Sequence, residues 1–273
     1  MCLLVCAWRR HAHYPLVLAG NRDEFHARPA APASWWDDPE GLLAGRDLQA
    51  GGTWLGVTRN GRAAVVTNYR ELGERLPDAP SRGGLIVDYA RSRQTPQGFL
   101  AQLAVRAQAY AGFNLIAGDA GTLAYYSNRN GAPRVLPPGI YGLSNHLLDT
   151  PWPKLTRVRE RFASALAADR ADPDSLLALL DDRTPATDDE RPDTGLPAEL
   201  ERALSAPFIV TPTYGTRCST ALTFSADGRC TFVERRFDAE GSATGDARFE
   251  FATATPFGQR GIASDPSSER KRS

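Results

Sequence analysis

Two short apolar runs separated by a polar break open the chain, and that pairing limits what the rest can form. Leu3-Leu4-Val5-Cys6-Ala7-Trp8 and Leu16-Val17-Leu18-Ala19-Gly20 flank Arg9-Arg10-His11-Ala12-His13. Runs of this length around a polar turn predict a strand, a hairpin loop and a second strand. The second strand ends in Asn21-Arg22-Asp23-Glu24, followed by Phe25. The two ends of a hairpin meet, so Cys2 and this tetrapeptide are expected to be neighbours.

The opening lacks the pattern of a secretory leader, which places an apolar run behind a basic segment. Here the charge follows the apolar run. No window approaches the roughly 18 apolar residues of a membrane helix. Formal net charge is zero and the pI is near 6.9, so neither a nucleic-acid nor a membrane-surface partner is expected. The reading is a soluble, cytoplasmic chain with no membrane insertion, acting on a small-molecule ligand or substrate. The oligomeric state is not legible. Cys2, Cys6, Cys218 and Cys230 form no Cys-x-x-Cys pair or zinc spacing, and no metal site is expected. Cys6, Cys218 and Cys230 read as small buried apolar residues.

Further along, residues 26–50 read as irregular, with three close prolines and a Trp35-Trp36-Asp37-Asp38 turn. Only Leu42–Gly45 stands out there as a strand. Strands are predicted at 51–58 and 63–70, joined by the Asn60-Gly61 hairpin signature. A polar loop follows at 72–82, with Ser81 as the cap of a helix starting near Gly83. Thr95-Pro96 is a cap followed by Pro at the first helical position, with Phe99, Leu100, Leu103 and Ala107 at helical spacing. Strands return at 113–117 and 123–127, and 139–146 closes in polar residues. Helices are expected at 153–167, 174–180 and 199–204, with an acidic, proline-bearing loop over 181–197. Strands at 217–225, 230–237 and 248–253 finish the pattern, Asp227-Gly228 marking a hairpin. From about Thr255 the chain is polar and patternless, so a disordered tail is expected. Strands at both ends with helices between them suit an α+β sandwich of two antiparallel sheets covered by helices.

The polar residues gathered at strand ends suit an N-terminal-nucleophile mechanism. Only a thiolate attacks, so a thiol needs a base. Once Met1 is removed, Cys2 carries its own base in its α-amino group, whose unperturbed pKa is about 8. In this scheme Asp23 holds the ammonium, Arg217 stabilises the thiolate, Asn68 donates to a developing oxyanion and Asn145 orients the amine or the substrate. The bland alternative is that Cys2 is an edge-strand residue and the asparagines are turn formers.

The motifs Met1-Cys2-Leu3-Leu4, Asn21-Arg22-Asp23-Glu24-Phe25 and Gly51-Gly52-Thr53-Trp54-Leu55-Gly56 resemble the NRDE-motif family. Thr67-Asn68-Tyr69-Arg70, Gly142-Leu143-Ser144-Asn145 and Tyr214-Gly215-Thr216-Arg217 extend the likeness. The family is also called the transport and Golgi organisation protein 2 family. It in turn is similar to N-terminal-nucleophile hydrolases of the choloylglycine hydrolase and penicillin V acylase type. The resemblance implies a four-layer αββα sandwich and a single domain, which the patternless tail expected at 255–273 bounds to residues 1–254. It gives Cys2, Asp23, Asn68, Asn145 and Arg217 the catalytic positions. One departure stands out: those hydrolases carry an Arg three residues before the Asp, where this chain has Gly20, while Arg22 adjoins Asp23.

Two functions remain open. One is a hydrolase or acyltransferase acting on an amide or thioester through Cys2, with no cofactor required. The other, implied by the family's links to haem trafficking and to acyl-coenzyme A and lipid metabolism, is a non-enzymatic carrier using the same pocket. Asn21, Arg22, Glu24, Tyr69 and Arg70 are then candidate ligand contacts. For haem as cargo, His26 and His146 are the candidate axial ligands. For acyl-coenzyme A, Arg22, Arg28, Arg46 and Arg70 are candidate phosphate partners.

Overall fold

The computed structural model describes residues 3–71, 78–255 and 257. The opening hairpin forms as predicted, from β1 (Leu3–Trp8) and β2 (Leu16–Phe25), with Leu3 opposite Asn21 and Trp8 opposite Leu16. It lies inside a six-stranded antiparallel sheet. β10 (Gly139–Ser144) pairs with the free side of β1, and β11 (Tyr214–Phe224) with the free side of β2. β12 (Arg229–Phe237) and β13 (Ala243–Ala252) complete that sheet.

The second sheet is a seven-stranded antiparallel meander in chain order. It comprises β3 (Ala30–Trp35), β4 (Leu42–Asp47), β5 (Leu55–Thr58), β6 (Ala63–Asn68), β7 (Phe113–Gly118), β8 (Leu123–Ser127) and β9 (Asn130–Val135). Strand alternation divides each sheet's residues between two faces. Leu4, Cys6, Trp8, Leu16 and Leu18 turn inward to meet Leu43, Leu55, Val65 and Ile116 of the meander and Trp54 just before β5. Leu3, Val5, Val17 and Ala19 turn outward, against α3 (Pro153–Ala167) and α4 (Pro173–Leu180). Val66, Phe113 and Leu115 of the meander turn outward against α1 (Gly84–Arg91) and α2 (Pro96–Arg106). The result is the expected four-layer αββα sandwich. A short α5 (Ala198–Leu204) follows the irregular 181–197 segment.

Sequence and structure part in a few places. β3 and β9 lie where no strand was predicted. Both are edge strands of the meander, and each carries a proline, Pro32 or Pro133, with a register irregularity in its pairing. An edge strand tolerates proline because one side makes no ladder. Residues 51–54, read as strand, are bend and coil, and β5 starts at Leu55. Thr95 caps α2 by accepting from Gly98 N at 3.2 Å, as predicted. Ser81 does not cap α1: Gly83 holds that position with no side-chain bond, and Ser81 offers its carbonyl to Gly84 N at 3.1 Å. Phe257, within the span read as a tail, is buried between the sheets, stacked on Phe224 at 4.2 Å. A single aromatic in a polar segment has no periodicity to announce it. The rest of the 255–273 expectation lies outside the described residues, as does part of the 72–82 loop.

All three described cysteines are buried. Burial pushes the Cys6 thiol up to about 12. Burial, with Glu234 as a neighbour, raises Cys218, and burial alone raises Cys230. These thiols are inert packing groups. Glu234 joins the two sheets, its Oε1 accepting from Ala33 N of β3 at 2.8 Å. Burial raises its carboxyl, against that hydrogen bond. No helix among the described residues is long and apolar enough to cross a membrane.

Candidate functional site

The site lies where both sheets end. The register sets Leu3 between Asn21 of β2 and Ser144 of β10. Cys2 itself lies outside the described residues. Alternation on β2 separates the tetrapeptide's side chains. Asn21 and Asp23 share a face with Val17 and Ala19, while Arg22 shares one with Leu16 and Leu18 and points between the sheets. Asp23 is buried, its Oδ1 accepting from Thr216 Oγ1 at 2.7 Å. The ends of β6 and β10 meet through Asn145. Its Nδ2 donates to Asn68 O at 3.3 Å, and its carbonyl accepts from Arg70 N at 2.6 Å.

A cleft of about 810 Å³ opens at this end. Arg22, Asp23, Glu24, Arg28, Asn68 and Tyr69 line it, so the structure brings these six predicted residues together. Arg22 is only 3% exposed, and its guanidinium stacks 4.3 Å from the Trp54 ring centroid. Its Nη2 lies 3.8 Å from Glu24 Oε2 and 3.6 Å from Asp47 Oδ2. Arg28 donates to Asp47 Oδ2 at 2.7 Å. Burial alone would raise the Asp47 carboxyl, but the hydrogen bond from Arg28 and the charge of Arg22 hold it below the usual carboxylate range. At the other end Glu71 accepts two bonds from Arg129, at 2.7 and 2.8 Å, and one from Gly112 N at 3.0 Å. Arg129 lowers its carboxyl as well. The charges in the cleft are thus largely balanced. Apolar surface comes from Phe25, Trp54, Val66, Pro80 and Tyr214, with Phe25 half exposed and edge-on to Tyr214 at 5.2 Å.

Among the described residues, the other predicted ones do not line the cleft. Asn21 is fully buried and serves as a clamp. Its Nδ2 donates to Leu180 O at 3.1 Å and Pro207 O at 2.9 Å, and its Oδ1 accepts from Ser219 Oγ at 2.6 Å. Arg70 turns away to pair with buried Glu201 at 3.2 Å, over the Trp152 ring. Arg217 sits at the β11 irregularity and donates through Nη1 to the carbonyls of Phe25, His26 and Arg28, at 3.0 to 3.2 Å. That fastens the loop after β2. His26 donates through Nε2 to Thr211 O at 3.0 Å. His146 is engaged at both ring nitrogens, with Tyr69 and Thr150. Arg46 lies over Trp36, away from the cleft. Among the described residues no group of three or more His, Cys, Asp or Glu side chains converges as a metal site.

The Asn21 clamp makes a stability prediction. Asn21→Ala leaves two buried carbonyls and the Ser219 hydroxyl without partners. Thermal or urea unfolding should show a loss of about 2–3 kcal/mol, and a loss under about 0.5 kcal/mol would mean the clamp is dispensable.

Sequence reasoning missed Asp47, Glu71 and Arg82 as cleft residues. Asp47 follows a predicted strand, but only the fold shows that Arg22 and Arg28 converge on it. Trp54 was legible as part of Gly51-Gly52-Thr53-Trp54, though not as the platform beneath Arg22.

Residues 1–239 match the family described as Transport and Golgi organisation 2. The Transport and Golgi organization protein 2 homolog of Bos taurus is 38% identical over 240 residues, covering 81% of this chain and 86% of its own length. The Homo sapiens homolog is likewise 38% identical over 240 residues, with the same shares. Among solved structures, the chain is similar to a Caenorhabditis elegans N-acylethanolamine-hydrolyzing acid amidase ortholog. The TM-score is 0.48 at 11% identity, with 81% of this chain and 92% of the other covered. A variant of conjugated bile acid hydrolase from Clostridium perfringens gives a TM-score of 0.45 at 8% identity, covering 96% of this chain and all of the other. The match over residues 1–239 and the extent of identity to the animal proteins place the chain plainly: it belongs to the Transport and Golgi organisation 2 family.

Proposed function

We propose that the cleft is a cytoplasmic acyl-transfer or hydrolytic site for a small-molecule amide or thioester, with Cys2 as its nucleophile and an N-terminal-nucleophile-like mechanism. The observation that carries this reading is the register of β1. Leu3 lies between Asn21 and Ser144, so the chain enters the sheet at the end where Asp23, Asn68 and Asn145 gather.

In this mechanism the free α-amino group of Cys2 takes the thiol proton. Sulfur attacks the carbonyl carbon, forming a C–S bond and a tetrahedral oxyanion, which the Asn68 amide stabilises. Collapse breaks the bond to the leaving amine or thiol, which takes the proton from the ammonium. Water then hydrolyses the acyl-cysteine by the reverse sequence. Asp23 holds the ammonium, and Asn145 fixes the strand end that carries Asn68. Arg217 contributes by anchoring the loop after β2 and by its charge. No cofactor is required.

Brief exposure to an electrophilic acyl probe, read by intact mass and peptide mapping, tests the reading. The expected result is one adduct on Cys2 in protein lacking Met1, and none in folded Cys2→Ala. An unmodified Cys2 in processed protein would sink it.

Carriage is the second reading, favoured by the size and mixed lining of the cleft. An acyl-coenzyme A-sized ligand could set its acyl part against Phe25, Trp54 and Tyr214 and its anionic part near Arg22 and Arg28. Haem carriage would require His146 to release Tyr69 or Thr150. Carriage predicts saturable binding that Cys2→Ala leaves nearly intact.

A further inference from the structure

A directed chain of hydrogen bonds ends at the cleft. The Leu147 carbonyl can only accept, and the Thr150 hydroxyl donates to it at 2.8 Å. A hydroxyl has one proton, so Thr150 Oγ1 accepts at its other contact, from His146 Nδ1 at 2.8 Å. A neutral imidazole protonated at Nδ1 bears its lone pair on Nε2. That atom lies 3.0 Å from the Tyr69 hydroxyl, which must therefore donate to it. The proton of Tyr69 is committed to His146, and the phenol oxygen retains lone pairs for a cleft that Tyr69 lines.

The surroundings hold this arrangement in place. The His146 ring lies between Tyr69 and Trp152, with centroids at 5.0 and 5.9 Å. Asn114 Nδ2 donates to the His146 carbonyl at 2.9 Å, and Tyr69 N donates to Gly112 O at 2.9 Å. Burial lowers the imidazole's affinity for a proton. The charged groups packed around the pair are neutralised by partners: Arg70 by Glu201 across Trp152, Arg129 by Glu71 beyond Tyr69, and Asp149 by Arg159 of α3.

We propose that the Tyr69 oxygen, held by His146, is a neutral hydrogen-bond acceptor in the cleft beside the Asn68 donor, and that the pair selects a secondary amide over a thioester. An amide presents a carbonyl to accept from Asn68 and an N–H to donate to Tyr69. A thioester presents sulfur where the N–H would stand, leaving the Tyr69 oxygen facing an atom that donates nothing. A site built to bond a substrate N–H discriminates strongly against an analogue without one. His146 is a positioning residue here: it touches no substrate and acts by fixing which way the phenol proton points. This inference deepens the proposed function and rests on it for the acyl-transfer step, while the direction of the hydrogen-bond chain stands apart from it.

The test has two arms on the full chain. The first is ¹⁵N NMR of the imidazole nitrogens. His146 should be neutral at pH 7 with the proton on Nδ1, and Tyr69→Phe should shift its Nε2 resonance. A proton on Nε2, or a charged ring at pH 7, overturns the inference whatever Cys2 does. The second arm measures Cys2 acylation by a matched pair of probes, a secondary amide and a thioester of one acyl group. In Tyr69→Phe the amide rate should fall roughly tenfold further than the thioester rate. His146→Phe, which frees the phenol proton, should move the ratio the same way. An unchanged ratio overturns the selection while leaving Cys2 as nucleophile. Acylation of wild type by neither probe instead overturns the proposed function, and the imidazole resonances still decide the direction of the chain. Thermal melts of both variants identify any ratio change that merely follows unfolding.

Discussion

Gly52→Ala should destabilise the protein by about 3 kcal/mol and lower Tm by roughly 6–10 °C. A Cβ on Gly52 would lie 2.5 Å from Gly83 C and 2.8 Å from Gly83 O and Gly84 N. These are backbone atoms at the start of α1, so no side-chain rotation relieves the overlap. The contact is reciprocal, since a Cβ on Gly83 would meet the backbone oxygen and nitrogen of Thr53 at 2.8 and 2.9 Å. Two glycines thus let the Gly51–Trp54 segment and α1 touch main chain to main chain, and Thr53 N donates to Gly83 O at 3.3 Å. Thr53, Trp54 and Gly83 all line the cleft, so moving α1 outward would also displace one wall. Calorimetry on Gly52→Ala checks the prediction, and a Tm within a degree or so of wild type would mean α1 shifts at negligible cost.

Under the proposed mechanism, Asn68→Ala should lower Cys2-dependent turnover roughly a hundred- to a thousandfold with little change in Tm. Asn68 is half-buried at the end of β6 and lines the cleft. Its backbone carbonyl accepts from Asn145, a contact that truncating the side chain spares. The expected loss belongs to kcat, because a group that donates to an oxyanion works mainly in the transition state. Single-turnover acylation of Cys2 by one probe gives the comparison. A loss smaller than about threefold would assign the oxyanion donor elsewhere. A matching fall in Tm would make the effect structural.

The sandwich was readable because its strands are apolar, short and punctuated. Asn60-Gly61 and Asp227-Gly228 fall between β5 and β6 and between β11 and β12. The paired edges of the meander were not readable, because edge strands bury little. Residues 130–135 in particular are almost wholly exposed along their length. Within the site, alternation on β2 separated Arg22 from Asp23. Parity alone cannot say what a side chain meets. Asn21 and Arg70 belong to the same polar clusters as Asp23 and Asn68, yet they bond to Leu180, Pro207 and Glu201, residues far along the chain. Chemical type announced a polar cluster, and long-range packing decided which members face the cleft.

The two sheets differ in how much of the chain each must wait for. Every pairing in the meander joins neighbours in sequence. The opening hairpin instead lies between β10 and β11, with Leu16 opposite Phe224. At ordinary rates of translation, roughly 10–40 s separate the emergence of β2 from that of its outer partner. The meander with α1 and α2 can form during this interval, its contacts being local. β1 and β2 meanwhile lack both flanking strands and the helices that cover Leu3, Val5 and Val17. A nascent chain arrested once β9 has cleared the ribosomal exit tunnel should therefore display a protease-resistant meander behind a protease-sensitive first 25 residues. The residues translated earliest are then among the last to be secured, and the cleft closes only when synthesis is nearly finished.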